Sequence, residues 1–185
     1  LEPGKAHHYR IRSLNTPAGN ESAWSPVVSA SPYFPAGTLA AWRYTAFGTN
    51  ASDGPSADNA DPDGDGIPNL AEYARGLSPL ATDPGPAAPL VGRATFDGAD
   101  HLTITFDRDP SVADIDIVAL AADDLAGPWS AFDPLRAPHL IALFDNQPTV
   151  GRQTIVARDP RPLSESPRRF LRLRYDWKDV TLLAR

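Results

Sequence analysis

Cysteine and methionine are both missing from this 185-residue sequence. Without cysteine the chain has no disulfide framework, no thiol nucleophile and no cysteine-bound zinc site. Apolar runs stay well short of the roughly 20 residues that a membrane helix needs, and no signal peptide is visible. Basic residues are the minority charge, with 17 Lys and Arg against 23 Asp and Glu and a formal net charge of −6. We therefore expect no nucleic acid partner and no membrane span.

Glutamate is scarce, since only four of the 23 acidic residues are Glu, whereas proline is abundant. The 20 Pro and 13 Gly exceed average usage, which disfavours a helical bundle and favours short strands joined by many turns. The start at Leu1 and the absence of Met indicate a piece of a longer precursor. The expected fold class is mainly β, with short helices confined to the middle of the chain.

Composition divides the chain into three predicted segments, 1–34, 35–85 and 86–185. The first predicts two short strands, 8–14 and 24–30, around a turn that contains Pro and Gly. A ribbon of two strands is only marginally stable in water, so this ribbon must pack on, or pair with, something else.

The second segment contains the only convincing helical patterns. Thr38 is a suitable N-cap for a helix over 39–47, which Gly48 ends. A second helix is predicted from 69 to 75 and is closed by Gly76. An acid-rich stretch without any basic residue lies between the two helices, so the segment is predicted as a short helix–calcium loop–helix connector.

The third segment predicts an antiparallel β-sandwich. Its apolar strands alternate with Gly, Asp and Pro clusters at the spacing typical of that fold. The ending from Trp177 onward is assigned to neither strand nor helix. The six predicted strands cover residues 91–96, 102–106, 115–121, 140–144, 153–157 and 170–175.

Residues 61–72 match the twelve-residue calcium loop of an EF-hand at every diagnostic position. Carboxylates stand at positions 1, 3 and 5, a glycine at position 6 allows the sharp turn, and a Glu stands at position 12. Calcium prefers six to eight oxygen ligands, and this spacing wraps five side chains and one backbone carbonyl around a point. The predicted ligands are Asp61, Asp63, Asp65, the carbonyl of Ile67, Asn69 and Glu72.

Two other interpretations of this loop stay open. One is a solvated acidic turn that binds nothing, and the other is a magnesium site, which usually keeps several waters. Asp53 and Asp58 lie just upstream and are candidates for an additional ligand or a second ion. Four carboxylates so close together repel one another strongly without a cation, and this favours the calcium site.

The stretch from Trp42 and Phe47 through the acidic linker to Pro79 resembles a known family. It is similar to the calcium-binding EF-hand-like, thrombospondin type 3-like modules of large secreted bacterial proteins, common in the Planctomycetes–Verrucomicrobia group. The run DPDGDGIPNLAEYARGLSP matches the pattern of that family almost throughout. The stretch also looks like half of a dockerin, which carries two such loops. The resemblance implies a secreted or cell-surface protein with calcium as cofactor.

Both flanking segments carry resemblances of their own. Residues 1–31 resemble the last two strands of a fibronectin type III domain, with His7 where that family has Tyr. Residues 88–176 resemble the β-rich domain that follows the calcium module in the same proteins, through LTITF at 102–106 and RFLRL at 169–173. That family implies no activity. The first resemblance implies that the upstream part of the precursor, or another chain, completes the fibronectin-like sheet.

We expect a non-catalytic structural or interaction module in which calcium rigidifies the connection between β domains. The sequence contains no nucleophile elbow, phosphate loop or paired-histidine zinc helix. Its histidines are scattered, and His101 and His139 are expected at the surface or in turns. The one glycosidase-like alternative is a carboxylate pair drawn from Asp107, Asp109, Asp114 and Asp116, residues that are more simply interpreted as acidic loops.

The main rival function is an accessory carbohydrate-binding module of a polysaccharide-degrading enzyme whose catalytic domain lies upstream. Such modules hold sugars on exposed aromatic rings, although a Trp in a sandwich usually belongs to the core. A basic stripe from Arg168 to Arg174 offers a surface for sulfated or uronic polysaccharide, or for an acidic neighbouring domain. The aromatic candidates are Trp129, Phe132, Tyr175 and Trp177.

Overall fold

The fold is mainly β, as predicted. The computed structural model describes residues 5–15, 19–31, 33–85, 87–136, 138–145, 151–166 and 168–178. The chain forms two compact units, Leu1–Ala36 and Gly37–Arg185. The helices and the acidic loop therefore belong to the same unit as the large sheets, while the division into three modules stays a prediction.

The first unit is a pair of short antiparallel ribbons. Its strands are β1 (His7–Tyr9), β2 (Leu14–Asn15), β3 (Asn20–Glu21) and β4 (Val28–Ala30). β1 pairs with β4 and β2 pairs with β3; these strands are shorter than the two predicted ones, and β3 lies outside both predictions. The predicted turn between them falls partly on residues 16–18, outside the described residues. Most of the described side chains of this unit are exposed, and packing of the ribbon on another partner stays a prediction.

The two helices begin and end where the sequence predicts. Helix α1 (Leu39–Phe47) starts after Thr38, whose hydroxyl accepts a backbone N–H of the first turn, and ends at Gly48 with φ 72°. Helix α2 (Asn69–Arg75) ends at Gly76, also with φ 72°. A single 3-10 turn, Gly54–Ser56, lies between them. Within the described residues, neither helix has the length and apolar character needed to cross a bilayer.

Seven strands of the second unit form two antiparallel sheets. One sheet has the order β5-β6-β10-β9 and the other the order β11-β7-β8. The predicted strands are confirmed and extended by one or more residues. The three-residue strand β8 was not predicted, because three residues are too few to show alternation of polar and apolar side chains. The bounds are β5 (Leu90–Phe96), β6 (Ala99–Arg108), β7 (Ile115–Ala122), β8 (Ser130–Phe132), β9 (Leu140–Asp145), β10 (Gln153–Arg158) and β11 (Phe170–Trp177).

The two sheets pack face to face, as in a sandwich. Ile104 on β6 and Ile155 on β10 have no exposed surface, and they lie in one cluster with Leu171 and Leu173 of β11. Alternate residues of β11 point away from this core, which leaves Arg172 exposed. The period of two along each strand thus builds the main core between the sheets.

A second core joins the helices to one end of the sandwich. Leu39 of α1, Tyr73 and Ala74 of α2, and Ile115 of β7 form one buried cluster. The Tyr73 hydroxyl donates to the carboxylate of Asp114, which also accepts the Leu39 N–H at 2.9 Å. Because α2 contains the last residues of the acidic loop, this cluster fixes the loop against the sheet.

Removing the Tyr73 hydroxyl tests this attachment. Tyr73→Phe is expected to lower the free energy of unfolding by about 1–2 kcal/mol, because the half-buried Asp114 carboxylate loses a donor. Urea denaturation measures the change. Tyr33→Phe is the matched control, since Tyr33 is 78% exposed and should leave stability unchanged. Equal effects of the two substitutions would contradict this account of the second core.

Candidate metal centre

Three aspartates of the acidic loop converge on one point. Oxygen atoms of Asp61, Asp63 and Asp65 all lie within 4.8 Å of one another. Asp61 is exposed, and the other two are half-buried. Like charges at this separation repel one another, and a bound cation would relieve the repulsion.

Backbone N–H groups curve the loop around these carboxylates. Asp61 accepts the N–H of Gly64 and that of Gly66, each at 2.9 Å. Asp65 accepts the N–H of Ile67 at 2.8 Å. Gly64 and Gly66 have φ values of 77° and 87°, a region that other residues rarely adopt. The glycines at these positions therefore permit the tight turn that brings the carboxylates together.

The loop also contains buried oxygen atoms without hydrogen-bond partners among the described residues. Glu72 is 0% exposed and Asn69 is 1% exposed. Within the described part of the chain, neither carboxylate oxygen of Glu72 has a hydrogen-bond partner, and neither does Oδ1 of Asn69 or Oδ2 of Asp63. The Asn69 amide nitrogen does have partners, the carbonyls of Pro55 and Ala57 at 2.8 and 2.7 Å. A buried oxygen without a partner is costly, and a bound cation would satisfy the four in this loop.

The charge state of Glu72 follows from its surroundings. Burial is the largest cause, and together with the negative charges of Asp63, Asp65 and Asp61, and against the opposing effect of Arg75, it raises the pKa of the Glu72 carboxyl to about 8. Without a cation, the charged form of Glu72 is unfavourable. A divalent cation at this point would reverse that balance, because it would be the largest local charge.

Ile67 anchors the middle of the loop. Its side chain is 1% exposed, although it lies in an acidic, Gly-rich segment. This apolar anchor holds position 7 of the loop in place. Its carbonyl as a metal ligand stays a prediction.

The two additional acidic candidates are not part of the group formed by the three converging aspartates. Asp58 pairs with the guanidinium of Arg43, whose side chain is only 8% exposed. Arg43 also donates to the carbonyl of Ser56 at 3.0 Å, so it organises the linker that precedes the loop. Asp53 is exposed at the start of the 3-10 turn. Burial of Arg43 was not predicted, because its acidic partner lies 15 residues away along the chain.

Among the aromatic candidates for sugar binding, most are engaged in packing. The Arg172 guanidinium lies 4.0 Å from the Trp129 ring centroid. Phe132 is 8% exposed and belongs to a core cluster, and Tyr175 packs against the core of the helices. Trp177 is 60% exposed, and it alone of the four offers a largely open ring.

Two of the four arginines in the predicted basic stripe pair with carboxylates. Arg169 donates to both oxygens of Asp159, at 2.6 and 2.9 Å. Arg174 pairs with Asp176 on its own strand at 2.6 Å. The stripe therefore presents less free positive charge than its sequence indicates.

The remaining catalytic candidates have structural partners. The expectation of a surface histidine is wrong for His101, which is 6% exposed and donates to the carbonyl of Asp159 at 2.9 Å. His139 is half-buried against the ring of Phe132. The four acidic candidates bind separate partners: Arg152 for Asp107, Ser111 for Asp109, Tyr73 for Asp114 and Lys178 for Asp116.

The comparisons with known proteins give no relative. No family model, no curated protein and no solved structure matches this chain. A function is therefore inferred from the geometry of the loop and its neighbours.

Proposed function

We propose that the acidic loop binds one calcium ion. The fully buried Glu72 carries this proposal, because both of its oxygens lack partners and the three converging aspartates act on its charge. A buried carboxylate in such surroundings is stabilised by a bound cation. The ligands are the predicted ones: Asp61, Asp63, Asp65, the carbonyl of Ile67, Asn69 and Glu72.

Calcium fits this donor set better than other ions. All the donors are oxygen atoms, which favours a hard cation over zinc or copper. Six protein ligands also suit calcium, which accepts six to eight oxygens with flexible geometry, better than magnesium, which usually keeps several waters. The backbone supports the same choice, since the turn at Gly66 is the one that an EF-hand loop needs.

The proposed role of the ion is structural. It fixes the loop, and through α2 it fixes the contact between the helices and β7, where Tyr73 and Ala74 are buried. We infer a non-catalytic module of a secreted or cell-surface multidomain protein, where calcium is abundant. The upstream part of the same precursor, or another chain, is the proposed partner of the exposed ribbon of the first unit.

The size of the effect follows from mass action. Extracellular calcium modules bind with dissociation constants of about 0.1–1 mM. At about 0.1 mM, millimolar calcium stabilises the bound form by about 1.4 kcal/mol. This gain is enough to order a loop and its helix, while the sandwich keeps a separate core of its own.

Single ligand substitutions test the site. Asp61→Ala and Asp65→Ala are each expected to weaken calcium binding at least tenfold, about what one lost interaction with a charged ligand costs, and to abolish the calcium-dependent rise in melting temperature. Calorimetric titration and thermal melts measure both effects. Glu165→Ala is the control, since Glu165 is exposed and lies outside the loop, and this variant should bind calcium as tightly as the unmodified protein. Unchanged calcium affinity in both loop variants would overturn the assignment.

A further inference from the structure

The segment that follows α2 returns to the acidic loop. The backbone N–H of Asp83 donates to Oδ2 of Asp65 at 2.9 Å. A few residues later, Ala87 lies against Gly66, and its carbonyl accepts a hydrogen bond from Arg75 of α2 at 3.3 Å. The segment therefore contacts the loop beside one of the proposed calcium ligands.

An ion pair attaches this segment to the four-stranded sheet. The Arg152 guanidinium, just before β10, lies 3.3 Å from the Asp83 carboxylate and 3.1 Å from that of Asp107 on β6. Asp107 also accepts the hydroxyl of Thr154 at 2.6 Å. The side chains of Asp83, Arg152 and Asp107 are 13%, 20% and 24% exposed, so water screens the pair less than it screens a surface ion pair.

We propose that Asp83, held by Arg152, is a positioning residue for the calcium ligand Asp65. Both oxygens of Asp65 accept backbone N–H groups, one from Ile67 inside the loop and one from Asp83 outside it. A ligand whose orientation is fixed before the ion arrives binds more tightly than a mobile one. The proposal rests on the proposed calcium site, and it adds a physical link from that site to the sheet.

The coupling between the Asp83–Arg152 ion pair and calcium binding is reciprocal. If the Asp83–Arg152 pair raises calcium affinity by some factor, bound calcium favours the paired arrangement by the same factor. Calcium should therefore slow hydrogen exchange at the Asp83 amide, and it should do so only while Arg152 is present to hold the segment.

The direction in which removal of Arg152 changes the calcium affinity distinguishes a positioning role from a purely electrostatic effect. Removing a cation near a calcium site raises calcium affinity by Coulomb's law. Positioning predicts the opposite, because without Arg152 the Asp83 segment no longer orients Asp65. A loss of affinity on removing a positive charge has no electrostatic explanation.

The decisive experiment is calorimetric calcium titration of the full chain with Arg152→Gln. We expect calcium to bind about threefold to tenfold more weakly, less than the loss on removing a direct outer partner of a metal ligand. Arg152→Lys should restore most of the affinity, because it keeps a cation beside Asp83. Asp83→Asn should also weaken calcium binding. The double variant that combines it with Arg152→Gln should lose no more calcium affinity than the single variant with the larger loss.

Arg93→Gln is the matched control. It removes an arginine from the same sheet, and its carboxylate partner Asp100 has no bond to the loop. Its calcium affinity should equal that of the unmodified protein. Equal or tighter binding by Arg152→Gln, with normal binding by the unmodified protein, would overturn the positioning role and leave the calcium site intact.

The proposed function and the positioning role fail in different ways. Absence of calcium binding by the unmodified protein would overturn both. If Arg152→Gln does not fold, hydrogen exchange at the Asp83 amide of the unmodified protein, with and without calcium, gives the test. No calcium-dependent protection at that amide in the unmodified protein would also contradict the positioning role.

Discussion

Glu72→Gln is expected to weaken calcium binding more than about a hundredfold. Substitution of residues that merely support a metal ligand costs about 10–100-fold, and Glu72 is proposed as a direct ligand through two oxygens. The amide keeps the size of the side chain and removes its charge. The loss of calcium affinity therefore comes from the missing carboxylate ligand and not from a cavity. Calorimetric titration of the chelator-stripped protein measures it.

The control for this prediction is Glu165→Gln. Glu165 is exposed and lies outside the loop, so its substitution removes the same charge from the protein without touching the site. Calcium should bind this variant as it binds the unmodified protein. If both variants bind calcium equally well, the ion does not lie beside Glu72 and the proposed site is wrong.

Arg169→Ala is expected to lower the free energy of unfolding by about 3 kcal/mol. Asp159 is 0% exposed and the Arg169 side chain is 7% exposed, so removing the arginine leaves a buried carboxylate without its counter-charge. We expect a loss of stability at the lower end of the range found when buried ion pairs are broken, because Asp123, the other partner of Arg169, is exposed. Urea denaturation measures the loss.

Arg161→Ala is the control within the same group of charges. Its side chain is 43% exposed and pairs with exposed Asp123, so water and salt already screen the interaction. Stability should change little. A similarly small effect of Arg169→Ala would contradict its structural role and would return Arg169 to the basic surface that an anionic polysaccharide could use.

The helices and the loop could be predicted because their signals are local. Thr38 and Gly48 mark the two ends of α1 in the sequence itself. The ligand pattern of the loop is likewise contained in twelve consecutive residues. The strands were predicted less completely, since hydrogen bonding to neighbours lengthens strands such as β6 beyond their apolar centres.

The parts that the sequence did not predict depend on distant partners. Arg43 is buried because it reaches Asp58 and Ser56, and Arg169 is buried because it reaches Asp159. Asp83 contacts Asp65 across 18 residues. Arginines and aspartates look alike in a sequence whether they are paired or solvated, so only the fold separates the two cases.

The most direct test of the central claim is a calcium titration by calorimetry on chelator-stripped protein, with a thermal melt alongside. The account predicts one saturable site with a stoichiometry near one and a rise in melting temperature on adding calcium. No heat of binding and no shift of the melting temperature would contradict it, and the loop would then be an acidic turn beside the sandwich.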